Sequence, residues 1–87
     1  MTRVVNLSRH VYDVRIDRRT KWGNPFVIGR DGTRADVIAK YETYIRRHPD
    51  LIAALPELVG KRLGCHCKPL ACHGDVLVRL IAEWGLA

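Results

Sequence analysis

The feature that most constrains this fold is a short apolar stretch that runs through a compact loop into a helix-period pattern near the C-terminus. Arg62-Leu63-Gly64-Cys65 reads as a buried strand. Val76, Leu77, Leu80, Ile81 and Trp84 recur at helical spacing, predicting a final helix from about Gly74 to Trp84, with Gly85 in the C-terminal cap position. A buried strand needs neighbours on both sides, and an amphipathic helix needs a surface to lie on. This pair of elements therefore asks for a small sheet with helices packed against it.

The remainder of the chain supplies those partners. Arg3 to Leu7 is a second apolar run with strand character, and Asp13 to Asp17 alternates polar and apolar residues as a half-exposed strand does. Arg18 to Phe26 reads as a loop, punctuated by Gly23 and by Asn24-Pro25, where the proline biases Asn24 away from helix. Thr33 and Asp36 have the spacing of a capping box, and Val37, Ile38, Tyr41, Tyr44 and Ile45 form the apolar face of the helix it opens. Pro49 is expected to end that helix near Arg47. A short second helix, capped by Asp50, should present Leu51, Ile52, Leu55 and Leu58 and be kinked or divided at Pro56. The order β-β-α-α-β-α predicts one small α/β domain over residues 1–87, with a three-stranded mixed or parallel sheet and about three helices. The apolar fraction of 47% suits a folded chain.

No apolar run approaches the roughly 18 residues of a membrane helix, and the start, Met1-Thr2-Arg3-Val4-Val5-Asn6, lacks the apolar core of a signal peptide. A cytoplasmic protein without a membrane partner is expected. Three cysteines, an odd number, argue against a disulfide framework. The formal net charge of +6 favours anionic partners, but the basic residues are dispersed along the chain. Nucleic-acid binding is therefore only one of the readings open.

The candidate site is the loop after the last strand, Gly64-Cys65-His66-Cys67-Lys68-Pro69-Leu70-Ala71-Cys72-His73-Gly74-Asp75, which holds every cysteine of the chain and two of its four histidines. In α/β folds, ligands gather beyond the carboxyl ends of strands, beside helix N-termini. Two chemistries fit. Cys65, Cys67, Cys72 and His73 are a possible tetrahedral zinc set, although the spacing is tighter than in common zinc modules. Alternatively, Cys72 stands just before a helix, where free amides and the helix dipole favour a thiolate, with His73 as acid or base. Gly74 would let an anionic ligand approach the backbone. The plain alternative is packing: free cysteines are often buried and inert. In Lys21-Trp22-Gly23-Asn24-Pro25-Phe26, Lys21 and Asn24 could hydrogen-bond a ligand and Trp22 could stack on a base, whereas Phe26 reads as a loop anchor. The basic run Arg18 to Lys21 could add counter-charge.

These stretches carry a resemblance. Val4-Val5-Asn6, Lys21 to Phe26, and Gly64 to Leu77 are similar to the family called domain of unknown function 4326, small proteins of phages, prophages and bacteria. His66 departs from the aromatic residue expected between the first two cysteines. The last segment also resembles the end of domain of unknown function 488, where Cys65, Cys72 and His73 would be the shared set and an acid would stand at the place of Cys67. The likeness favours a site over mere packing but does not choose between metal and thiol chemistry. Three functions stay open: a zinc-binding domain with an anionic or nucleotide-like ligand beside the metal; a metal-free cysteine enzyme acting on a nucleotide or modified base; and a phage-encoded binder of a host protein or nucleic acid.

Overall fold

The computed structural model describes residues 1–84. Three strands, β1 (Arg3–Asn6), β2 (Val14–Arg15) and β3 (Arg62–Cys65), form one sheet in the order β1-β3-β2. Both outer strands run parallel to β3, in the registers Val4 to Leu63, Asn6 to Cys65 and Val14 to Leu63. The sheet is thus wholly parallel, resolving the mixed-or-parallel expectation. The middle strand is the one read from Arg62-Leu63-Gly64-Cys65, and its last three residues are buried.

β1 and β2 flank β3 and point the same way, although only residues 7–13 join them. Parallel strands ordinarily need a crossover of a dozen or more residues, usually a helix. Here the connector runs straight back over the central strand. Leu7 N–H bonds the Cys65 carbonyl at one end, and Asp13 N–H bonds the Arg62 carbonyl at the other. Gly64 makes the crossing possible. A Cβ there would lie 2.9 Å from the Tyr12 ring and 3.0 Å from Leu7 Cβ. By strand alternation, Leu63 and Cys65 face the opposite side, into the core. The crossing is pinned where β3 begins: the Arg62 guanidinium grips Asp13 through both carboxylate oxygens at 3.0 Å.

The helices cover the other face. The first, α1 (Arg34–Arg46), opens with the expected capping box: Asp36 N–H donates to Thr33 Oγ1 (3.2 Å), and Thr33 N–H donates to the Asp36 carboxylate (2.9 Å). Its inward residues are Val37, Tyr41 and Ile45. Next comes α2 (Pro49–Ala54), whose N-cap is His48, not Asp50 as expected. Proline lacks an N–H and its φ already suits a first helical turn, so Pro49 starts the helix and Asp50 falls within that turn. At Pro56 the chain tightens into a 3-10 turn, Leu55–Leu58, which is the expected division. The last helix, α3 (Gly74–Glu83), buries Val76, Leu77, Leu80 and Ile81. The glycine cap expected at Gly85 lies outside the described residues. Arg46 bridges Glu42 of α1 and Glu83 of α3, and Arg79 also pairs with Glu42. No helix among the described residues is long and apolar enough to cross a membrane.

Candidate functional site

All three strands run the same way, so their carboxyl ends share one edge of the sheet, where the loops after β2 and β3 meet the start of α1 and of α3. They enclose a cavity of about 500 Å3. Asp17, Arg18 and Arg19 come from the loop after β2, and Asn24, Phe26, Val27 and Ile28 from the rest of that long loop. Arg34, Val37 and Ile38 come from α1, and Cys65, His66, Cys67, Ala71, Cys72 and His73 from the loop after β3.

The cysteine loop is held on several sides. Asn6, at the end of β1, donates its side-chain amide to the Lys68 carbonyl (2.8 Å). Arg34 donates to the Ala71 carbonyl (3.0 Å). The Asp75 carboxylate takes the Cys72 N–H (3.1 Å) and the Lys68 ammonium (2.9 Å), closing the loop onto the first turn of α3. Within this frame the Cys65 and Cys72 sulfurs lie 3.1 Å apart, both buried and both on the cavity wall. Gly74 N–H points at the Cys72 sulfur (3.3 Å). Cys67 is half-buried.

The two thiols are not equivalent. The Cys65 and Cys72 thiols share a hydrogen bond, the backbone amides of Cys67 and Lys68 point at Cys65, and the Lys68 ammonium lies nearby. Together these outweigh burial and bring Cys65 down to about 6. Cys72 is pushed up by the negative Cys65 beside it and by burial. These contacts favour the negative charge on Cys65 within the pair, while the start of α3 favours it on Cys72.

His73 is buried, and its Nε2 lies 2.6 Å from the Ile16 carbonyl. A carbonyl only accepts, so Nε2 carries the proton and Nδ1 keeps the lone pair. Burial is the main reason its pKa is lowered, leaving the ring neutral. The imidazole meets the edge of Tyr41, with ring centres 4.8 Å apart. Among the described residues no three His, Cys, Asp or Glu side chains converge as a ligand set for a metal ion.

The Lys21–Phe26 segment divides differently from its reading. Trp22 is a core residue at 2% exposure, and its carbonyl accepts the Tyr41 hydroxyl at 2.7 Å. Lys21 turns outward to Glu57 (3.0 Å) and takes no part in the cavity wall. Asn24 does line the cavity, but as a clamp: its amide donates to the Val37 carbonyl (3.1 Å), and its oxygen accepts the Phe26 N–H (3.0 Å). Phe26 is half-buried on the cavity wall. Gly74 packs closely on the sheet, where a Cβ would meet Ile16 Cδ1 at 2.6 Å and Val4 at 2.8 Å.

Arg18, Arg19 and Arg34 bring guanidiniums to the cavity, of which the sequence marks only the basic run Arg18 to Lys21. Arg18 spans to the Asn24 and Phe26 carbonyls (3.0 and 3.2 Å). Asp17 is fixed by Arg15 (2.7 Å), with His66 at 3.4 Å; the Arg15 guanidinium above all holds its carboxyl down to about 2. Arg34, Val37 and Ile38 carried a usable signal, since their i, i+3, i+4 spacing puts all three on one helix face.

The chain belongs to the family described as Domain of unknown function (DUF4326), whose sequence profile matches residues 2–83. It is 41% identical over 86 residues to the "Uncharacterized 12.4 kDa protein in nrdA-td intergenic region" of Enterobacteria phage T4, covering 93% of this chain and 78% of that protein. It is 39% identical over 69 residues to "Uncharacterized protein R718" of Acanthamoeba polyphaga mimivirus, covering 70% of this chain and 52% of that protein. No solved structure matches.

Proposed function

We propose that this phage-family domain binds a small anionic, nucleotide-like molecule in the cavity at the carboxyl edge of its sheet. One observation carries the reading: an apolar wall (Phe26, Val27, Val37, Ile38), the arginines Arg18, Arg19 and Arg34, and the Cys65–Cys72 thiol pair all line a single space of about 500 Å3. That volume lies within the range of small-molecule sites, roughly 300–1,000 Å3. Guanidinium forks match phosphate oxygens bidentately, and an aromatic ring beside them suits a planar base. The thiolate at Cys65 supplies a nucleophile, with the Cys72 thiol as the proton donor next to it.

A zinc site of Cys65, Cys67, Cys72 and His73 is the second reading, favoured by the contact of two buried sulfurs. With the Nε2 proton on the Ile16 carbonyl, His73 would ligate through Nδ1. Metal analysis of protein purified without added zinc separates the two: stoichiometric zinc, lost in Cys65→Ser, supports the metal reading.

The ligand reading is tested on the reduced protein by thermal shift and calorimetry with nucleosides, nucleoside 5′-phosphates and inorganic phosphate. Nucleoside phosphates should bind, nucleosides should bind more weakly, and Arg19→Ala should weaken the phosphorylated set. Absence of binding by every phosphorylated compound at millimolar concentration defeats the proposal.

A further inference from the structure

The two buried sulfurs imply an activity separate from ligand binding. We infer that Cys65 and Cys72 form a dithiol–disulfide couple able to exchange two electrons with a small-molecule disulfide that enters the cavity. The inference stands on the placement of the sulfurs and does not need the nucleotide reading.

Cys65 ends the central strand and Cys72 precedes α3, yet their sulfurs are 3.1 Å apart. A disulfide bond of about 2.05 Å requires them to close by only about 1 Å. The loop between them is secured at the Lys68 and Ala71 carbonyls and at the Cys72 amide, so the approach belongs to the folded state. The third cysteine, Cys67, lies nearer to Cys65 in sequence, but the sulfur contact is between Cys65 and Cys72. Cys65 and Cys72 both line the cavity, the side from which a small oxidant would reach this buried pair.

The exchange balances as follows. The Cys65 thiolate attacks one sulfur of R–S–S–R, forming a mixed disulfide and releasing RS⁻. The Cys72 thiol gives its proton to that thiolate. Its own sulfur then attacks Cys65 Sγ, expelling a second RS⁻, which takes a proton from water. Two thiols of the protein are oxidised to one disulfide, and R–S–S–R is reduced to two RSH.

The test is a redox titration of the full chain in mixtures of reduced and oxidised glutathione, quenched in acid, alkylated and mapped by mass spectrometry. The expected result is reversible loss of two alkylatable thiols, a 65–72 cross-link and one thiol remaining at Cys67. Cys67→Ser should titrate at the same ratio, whereas Cys72→Ser should leave Cys65 as a mixed disulfide with glutathione. Retention of all three thiols under oxidising mixtures that form disulfides in a control dithiol overturns the inference. So does a cross-link through Cys67, or protection of the pair by stoichiometric zinc. Ligand binding by the reduced protein is measured separately, so either proposal can fail alone.

Discussion

Gly23→Ala gives the sharpest test of how the cavity wall is built. Gly23 does not have a positive φ, so its backbone conformation is open to alanine. On that ground alone, replacing glycine should stabilise the fold by about 0.4–1 kcal/mol through the unfolded chain. The structure predicts the opposite sign. A Cβ at Gly23 would lie 2.5 Å from Arg18 Cα and 2.8 Å from the Asp17 carbonyl oxygen, both backbone atoms. They cannot rotate away as a side-chain end can, and the Asp17 carbonyl is already engaged by Thr20 N–H (3.1 Å). Overpacking costs about 1–3 kcal/mol, and a collision with backbone belongs in the upper part of that range, about 2–3 kcal/mol. For a chain this small the denaturant slope in urea is about 1 kcal/mol per M, so the midpoint should fall by about 2–3 M. The control is Gly29→Ala, at φ +94° with open space around it, where conformational strain alone should cost about 1–2 kcal/mol. The assay is urea unfolding followed by Trp fluorescence for the wild type and both variants. An unchanged or raised midpoint for Gly23→Ala would refute the close approach of residues 17–18 to Gly23, and with it the account of how Asp17 and Arg18 reach the cavity.

Tyr41→Phe removes a buried donor and strands the Trp22 carbonyl; it should cost about 1–3 kcal/mol, and a loss below about 0.5 kcal/mol in urea unfolding would contradict the burial of that bond. Asp17 is held at about 2 by Arg15. Because its folded pKa is depressed, its contribution to stability is present above the unfolded value near 4 and is lost as pH falls through about 2; Asp17→Asn should flatten the loss of unfolding midpoint between pH 5 and 2. Alkylation of Cys65 by iodoacetamide, mapped by peptide, should rise through pH about 6 while Cys72 stays unmodified. Cys72→Ala should move that profile to higher pH, and an unmoved profile would show that Cys72 is not the donor.

The elements were legible where local chemistry repeats. Thr33 and Asp36 bond to each other within one turn, so their spacing announces the cap. The apolar face of α3 is a periodic signal that survives into the fold as Val76, Leu77, Leu80 and Ile81. The second helix was misread at its start because proline both ends one helix and opens the next. The cysteine loop was visible as a density of unusual residues, but its chemistry was not. The helix start marks Cys72 alone, whereas the contacts that favour charge on Cys65 come from Cys72, seven residues on, and from amides aligned only in the folded loop. Trp22 could equally have been a stacking surface or a core residue. What decides it is burial against core residues distant in the chain, Tyr41 and Leu55 among them, a packing that no local pattern encodes.

The cavity follows from the topology of the sheet. The seven-residue connector that returns β2 parallel to β1 packs Leu7 and Tyr12 over Gly64 of the middle strand, where a Cβ would meet them at 2.9–3.1 Å. The crossing places the ends of β1 and β2 on either side of the end of β3. Asn6 then reaches the Lys68 carbonyl from one side, and Asp17 reaches His66 from the other. The cysteine loop is thus braced by two strands that are near neighbours in sequence but separated in the sheet by β3. Close packing of Gly74 on Val4 and Ile16 lets α3 begin directly above those strands, which is what brings Cys72 down onto Cys65. Gly64 and Gly74 serve the site through the approaches they permit, without touching a ligand. A bulky residue at either position should disturb the sulfur contact before it disturbs the helices, because each acts on the spacing between sheet and loop and leaves the helical periodicity intact.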